Sequence, residues 1–294
     1  MAMSTELLKK DTELVLEIQL CIACFSVLIN VFHLFILTRK SMRINCVNVL
    51  MAGIAICDIY DMGFLIYDDW FNLTNLKSDE CAGPHNLTYL LIEHFFAILE
   101  DGLHRLSIWL GTFMATIRYL CIKNALNSKF PNISKPGFGL KAILIAFVVS
   151  TLATIFWFGH AKFERVEVPD MCKTLAPDET WYTKRMNQQL VFRVFVILDG
   201  TLKIVPAFIL LPLLSVLLIR ELRNAEKARK ASSVAKAETS SSKTDQTTKL
   251  VILMTISFML AEGPFGVFYI MNGLIEENSA LVPNMGPPNF YGSP

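Results

Sequence analysis

Six stretches of this chain are long and apolar enough to cross a lipid bilayer, and that limits the folds open to it. A hydrocarbon core about 30 Å thick takes about 20 apolar residues at ~1.5 Å of rise each. The stretches cover residues 14–37, 47–67, 88–122, 140–159, 190–219 and 250–274, the third being the most polar. No water reaches the backbone inside lipid, so each stretch must satisfy its own amides as a helix. Pro206, Pro212 and Pro264 lie within spans, where they read as kinks rather than breaks. The expected fold class is all-α, a polytopic bundle with about six spans present.

Composition agrees. Hydrophobic residues make up 53% of the 294 and charged residues only 18%, below the ~25% of a typical soluble domain. High hydrophobicity excludes a disordered chain. With 27 basic and 26 acidic residues the formal charge is +1, so there is no basic field for nucleic acid. The first apolar run is too long for a secretory signal and lacks a clear cleavage site, so it reads as a retained span.

Basic residues set the orientation. Sixteen fall in the connections after the first, third and fifth spans, and eight on the opposite side. This places residues 1–13 outside as an extracellular N-terminus, residues 14–274 as the membrane domain, residues 220–249 as its third cytoplasmic loop and residues 275–294 as a short irregular tail. The sequence Glu221 to Lys230 could extend the fifth helix into the cytoplasm, before a Ser-rich flexible tip. The sequons at Asn72 and Asn86 fall on the outside, as glycosylation requires, whereas the one at Asn132 falls inside and should stay unused.

Polar side chains within the spans are the candidate functional groups, because at mid-bilayer they must face the bundle. They are Asn30, Asp58, Glu93, Glu100, Asp101, His104, Arg105, Arg193, Asp199, Lys203 and Glu262. Asp101 with Arg105, and Asp199 with Lys203, are four apart and can neutralise one another on one helix face; the competing reading is ligand contact. Glu100 and His104 also share a face. Asp58 has no basic residue in its own span, so it must be protonated, hold a cation or sit in a hydrogen-bond network. Cys21, Cys24, Cys46, Cys57 and Cys121 lie in or near spans and read as small packing residues. Cys81 and Cys172 lie in outside loops, where they either form a disulfide or stay as separate thiols.

The ordered polar residues resemble those of a rhodopsin-like G-protein-coupled receptor. More narrowly, the chain is similar to the nematode serpentine chemoreceptors of class W, relatives of receptors for FMRFamide-type peptides. The resemblance covers about residues 20–272. It is carried by Asn30 in Leu-Ile-Asn-Val-Phe-His-Leu, by residues 37–43, by Asp58, by residues 104–119 ending Ile-Arg-Tyr, by Lys203 with Pro206, and by Phe258 to Ala-Glu-Gly-Pro264-Phe-Gly. It implies core and signalling roles for Asn30, Asp58, Arg118, Tyr119, Pro206, Phe258, Glu262 and Pro264. A sodium ion at Asp58 is also implied, and no other metal or cofactor.

Three departures stand out. Ile117 replaces the acidic neighbour of Arg118, Glu262 replaces the usual sixth-span Trp, and no seventh apolar run follows Leu274. The last twelve residues hold four prolines and two glycines, so a six-span, shortened receptor is the expectation.

The expected function is reception of an extracellular peptide or small molecule, relayed to a heterotrimeric G protein from the plasma membrane. Glu100 and Asp101 would meet a basic ligand group and Lys203 an acidic one, with Trp109, Phe265 and Tyr269 as aromatic walls. Two rivals are a non-signalling receptor remnant and a cation-coupled transporter using Asp58, Glu100, Asp101 and Glu262. No internal repeat favours the transporter. No His-Glu-x-x-His, phosphate loop or Gly-x-Ser-x-Gly favours an enzyme.

Overall fold

The computed structural model describes residues 2–77, 86–123, 133–159, 161–166, 181–186 and 189–232, and 252–253, 255–260, 262–264, 266–267 and 270–271. The chain forms two compact units, Met1–Asn187 and Gln188–Pro294.

In the first unit, α1 (Ala2–Leu37) runs continuously through the first apolar stretch. It ends where Thr38 turns its hydroxyl back onto the Phe35 carbonyl at 2.9 Å. After a tight turn, Asn45 caps α2 (Cys46–Lys77), its Oδ1 accepting from the Val47 amide at 3.1 Å. Asn86 caps α3 (Leu87–Lys123) in the same way, accepting from Thr88 N at 3.0 Å. Pro136 opens α4 (Pro136–Phe158), a position where its missing N–H is harmless.

Helix α2 packs on α1, α3 and α4, and α3 packs on both α2 and α4; α3 carries much of the core. Ten of its residues are buried, among them Ile108, Leu110, Met114 and Ile117. By contrast α1 turns Phe25, Phe32 and Phe35 outward, each more than 60% exposed, a face suited to lipid rather than water.

Among the described residues four segments have the length and composition of membrane spans: Lys10–Leu37, Cys46–Thr74, Pro136–Ile155 and Val196–Asn224. The length of α3 suffices too, but its middle carries Glu100, Asp101 and Arg105.

Between α4 and α5 lies an element that the hydropathy pattern does not announce. Strands β1 (Ala161–Val166) and β2 (Trp181–Met186) pair antiparallel, with Phe163 opposite Lys184 and Val166 opposite Trp181. Phe163, Val166, Trp181, Tyr182 and Thr183 are strand formers. Outside the membrane an open ladder is permitted, because water satisfies its edges. The hairpin packs on the N-terminal part of α3: Phe163 meets the His94 ring edge-on at 5.4 Å.

In the second unit, α5 (Gln189–Ile204) passes through a π-helical segment (Val205–Leu210) into α6 (Leu211–Ser232). Pro206 offers no N–H, and the ladder widens so that the Leu211 amide reaches the Pro206 carbonyl. The helix continues to Ser232, so the helical extension read from Glu221 to Lys230 is present. The described residues between 252 and 271 are helical. Two glycines let this last helix approach α5 closely: a Cβ on Gly200 would lie 2.8 Å from the Gly266 carbonyl.

The crossing of α2 and α4 gives a paired test. A Cβ on Gly139 would meet Cys46 O and Sγ at 3.1 Å, whereas one on Gly137 meets nothing within 4 Å. Gly139→Val should destabilise the detergent-solubilised protein by about 1–3 kcal/mol. Gly137→Ala should be neutral or stabilising by up to ~1 kcal/mol. Thermal unfolding midpoints of the two variants should therefore move apart.

Candidate functional site

Every polar side chain in the middle of α3 meets a partner on a neighbouring helix or on α3 itself. On the α4 side, Arg105 is 3% exposed. Its Nη2 donates to Asp101 Oδ2 at 2.7 Å, and its Nη1 to Thr154 Oγ1 at 2.9 Å and to the Ser150 carbonyl at 3.3 Å. The Thr154 hydroxyl also lies 3.1 Å from Asp101 Oδ2. Ser150 Oγ donates to the Gly102 carbonyl at 2.6 Å. Asp101 is thus held in an ion pair cross-linked to α4, the self-neutralising arrangement that its spacing from Arg105 allows.

Toward α2 the groups are acidic. His104 Nδ1 lies 3.1 Å from Asp61 Oδ2. Glu100 lies close to the same Asp61. One turn inward, Ser107 Oγ donates to Asp58 Oδ1 at 2.9 Å. Asp58 therefore has a hydrogen-bond donor on the neighbouring helix. Tyr60 donates to the Phe96 carbonyl at 3.2 Å, and the Tyr67 and Tyr89 hydroxyls meet nearer the outer end.

The second unit holds its own pair. Lys203 Nζ lies 2.8 Å from Asp199 Oδ2, with both residues almost wholly buried. Pro206 is buried in the π-helical segment, Phe258 and Glu262 are half-buried, and Pro264 is exposed.

The remaining candidates are placed as follows. Asn30 donates to the Ser26 carbonyl of its own helix at 3.1 Å. Arg118 is half-buried near the C-terminal end of α3, its Nη2 4.0 Å from Met51 Sδ, and no carboxylate pairs with it among the described residues. The Tyr119 ring receives Lys123 Nζ at 5.4 Å, and Trp109 packs on Phe113. Asn86 is exposed, while the Asn72 amide donates to Asp68 Oδ2 at 3.1 Å. Phe265, Tyr269, Cys81 and Cys172 lie outside the described residues.

Sequence reasoning missed Asp61, Ser107, Ser150 and Thr154. Asp61 stands three residues after Asp58, on the same helix face, and that spacing was the available signal. Ser150 and Thr154 sit in an otherwise apolar run, where nothing marks the helix that will face them.

Where α3 leaves the membrane it meets β2. Half-buried Lys184 is pushed down from its ordinary value to about 8, with burial the larger cause and Glu93 opposing. The folded form disfavours the ammonium, while an undocked Lys184 keeps its proton up to ~10.4. Folded-state stability should then rise as pH climbs from about 8 toward 10, and Lys184→Met should remove that rise. The midpoint measured across this window checks it.

The α3–α4 clamp is tested by Arg105→Met. It leaves Asp101 buried without its cation, and should cost about 3–5 kcal/mol. The double variant with Asp101→Leu should recover part of that loss in a double-mutant cycle read from thermal midpoints.

No curated protein matches the chain significantly. A family model does: serpentine type 7TM GPCR chemoreceptor Srw, over residues 17–287. The match covers most of the 294 residues and agrees with the all-α polytopic bundle, so the chain is an integral membrane protein belonging to the Srw family of serpentine chemoreceptors.

Proposed function

We propose that this chemoreceptor binds an extracellular peptide or small molecule and signals to a heterotrimeric G protein from the plasma membrane, with its N-terminus outside. The observation that supports the reading best is the inward array on α3. Asp58, Asp61, Glu100 and His104 converge between α2 and α3, while Arg105 is turned away to α4. The α2 side is left acidic, which suits a ligand bearing a basic group, and Glu100 is the carboxyl that α3 contributes to it. Asp101 and Lys203 would act only by exchanging their present partners, Arg105 and Asp199, for ligand groups. Phe265 and Tyr269 are kept as aromatic contacts. Pro264 and the widened turn after Pro206 provide bends about which helices shift, and Arg118 would meet the G protein.

Ligand-dependent G-protein activation in cells expressing the full chain tests this. Glu100→Gln should reduce potency for a basic ligand about ten- to a hundredfold, the worth of one charge-assisted hydrogen bond. Arg118→Ala should preserve ligand binding and abolish activation. Unchanged signalling in both variants would refute the assignment. Cation flux in vesicles that Asp58→Asn abolishes would favour transport instead.

The orientation has its own test. We assign the glycan to Asn86, whose amide nitrogen points away from its capping bond, in preference to Asn72, whose amide is tied to Asp68. Asn86→Gln should remove the glycosidase-sensitive gel shift and Asn72→Gln should keep it.

A further inference from the structure

The 26 acidic residues of this chain avoid two long windows completely: none occurs in residues 18–57 or in residues 102–163. Membrane topology alone does not require this, since orientation is set by Lys and Arg and is nearly indifferent to Asp and Glu. The two windows meet in space. The Cys46 amide at the start of α2 donates to the Ser134 carbonyl at 2.9 Å, and Gly139 of α4 sits against Cys46. Asn48 Nδ2 holds the Met42 carbonyl at 2.8 Å, and Arg43 Nε donates to the Thr38 carbonyl, so the turn between α1 and α2 is fixed. One corner of the first unit therefore carries Arg39, Lys40, Arg43, Lys135 and Lys141, all exposed. Among the described residues none of these five has a carboxylate partner.

Apolar side chains stand beside the cations. Ile44 is 71% exposed and Leu140 61%, and Phe138 is exposed too. The span Lys10–Leu37 ends directly before this corner and the span Pro136–Ile155 begins within it. The cations therefore sit at headgroup depth, with apolar groups placed to enter the acyl region.

We infer that the corner formed by residues 38–45 and 133–141 binds a polyanionic phospholipid headgroup, of the phosphoinositide class, in the cytoplasmic leaflet. Several unpaired cations around one fixed turn suit several phosphates on one lipid better than a single serine headgroup. The leaflet assignment rests on the orientation proposed above; the headgroup chemistry does not. A protein partner is the less favoured occupant, because the flanking side chains point to lipid and the spans enter the membrane at once.

The test uses the full chain in phosphatidylcholine nanodiscs doped with phosphatidylserine or with a doubly phosphorylated phosphoinositide. Lipid retained by the receptor is read by native mass spectrometry. The phosphoinositide should be retained in preference, and the combination Lys40→Gln, Lys135→Gln and Lys141→Gln should weaken retention about a hundredfold, at roughly fivefold per cation. The same three positions changed to Arg should retain the lipid, which separates lost charge from lost folding. Arg220→Gln, Arg223→Gln and Lys227→Gln together should have no effect.

Equal loss in that control, or full retention by the neutralised variant, overturns the proposal. So does competition by the soluble headgroup as strong as by the intact lipid, which would mean a free-phosphate site. Retained lipid with lost G-protein activation in the neutralised variant would assign the corner to a protein and also overturn it. Ser41→Cys should react with an impermeant thiol reagent only after cells are permeabilised. Reaction on intact cells overturns the leaflet and the orientation together, whereas retention in discs, whose two faces carry the same lipid, depends on neither.

Discussion

A guanidinium inside a hydrocarbon layer is tolerable only when its charge and its donors are all answered, and Arg105 sets that condition for the first unit. Asp101 supplies the opposite charge from one turn away on α3, and Thr154 and Ser150 supply acceptors from α4. Lipid tails are as apolar as leucine, so helices in a membrane gain little by hiding apolar surface from one another. Close packing and cross-helix hydrogen bonds must hold them instead. The Arg105 cluster does this for α3 and α4. Small residues do the same for α2 and α4, where a Cβ on Gly53 would meet Ile143 at 3.0 Å and one on Gly139 would meet Cys46 at 3.1 Å.

Charge balance is met separately in each unit. Asp101–Arg105 and Asp199–Lys203 both use the four-residue spacing that stacks two side chains on one helix face. Each pair can form while its helix is still alone in lipid, so neither pair adds a net charge to the helix that carries it. Thr154 and Ser150 join only when α4 packs, and they convert a neutral pair into a link that fixes one helix against another.

This division also explains what could be read from the sequence. Spans follow from local hydropathy, and the two intrahelical pairs follow from spacing along one helix, so both were legible. Partners across helices were not. Nothing in the neighbourhood of Thr154 indicates that Arg105, 49 positions earlier, will reach it. Asp61 lies one turn from Asp58, and its partner His104 stands on another helix. The hairpin escaped because a short loop strand carries no signal comparable to a 20-residue apolar run, although Phe163 and Trp181 to Thr183 have the right residue types. Pro206 announced a bend, but whether the ladder tightens or widens there depends on the packing of the Leu211 turn, not on the proline itself.

The cross-links along α3 are unevenly spread, and that bears on how a receptor of this build can move. From Tyr89 to Ser107 the helix is tied to α2 and α4 through Tyr67, Tyr60, Asp61, Asp58, Ser150 and Thr154. From Leu110 to Ile117 the buried side chains are mostly apolar, and the two hydroxyls there turn back on their own helix, Thr112 to the Ile108 carbonyl and Thr116 to the Thr112 carbonyl. Apolar contacts are non-directional and can slide by a fraction of an ångström with little penalty, whereas a buried hydrogen bond is either made or lost. The N-terminal and middle parts of α3 are thereby held in one register, and the C-terminal end, where among the described residues Arg118 meets a thioether at 4.0 Å and no carboxylate, has the weaker restraint.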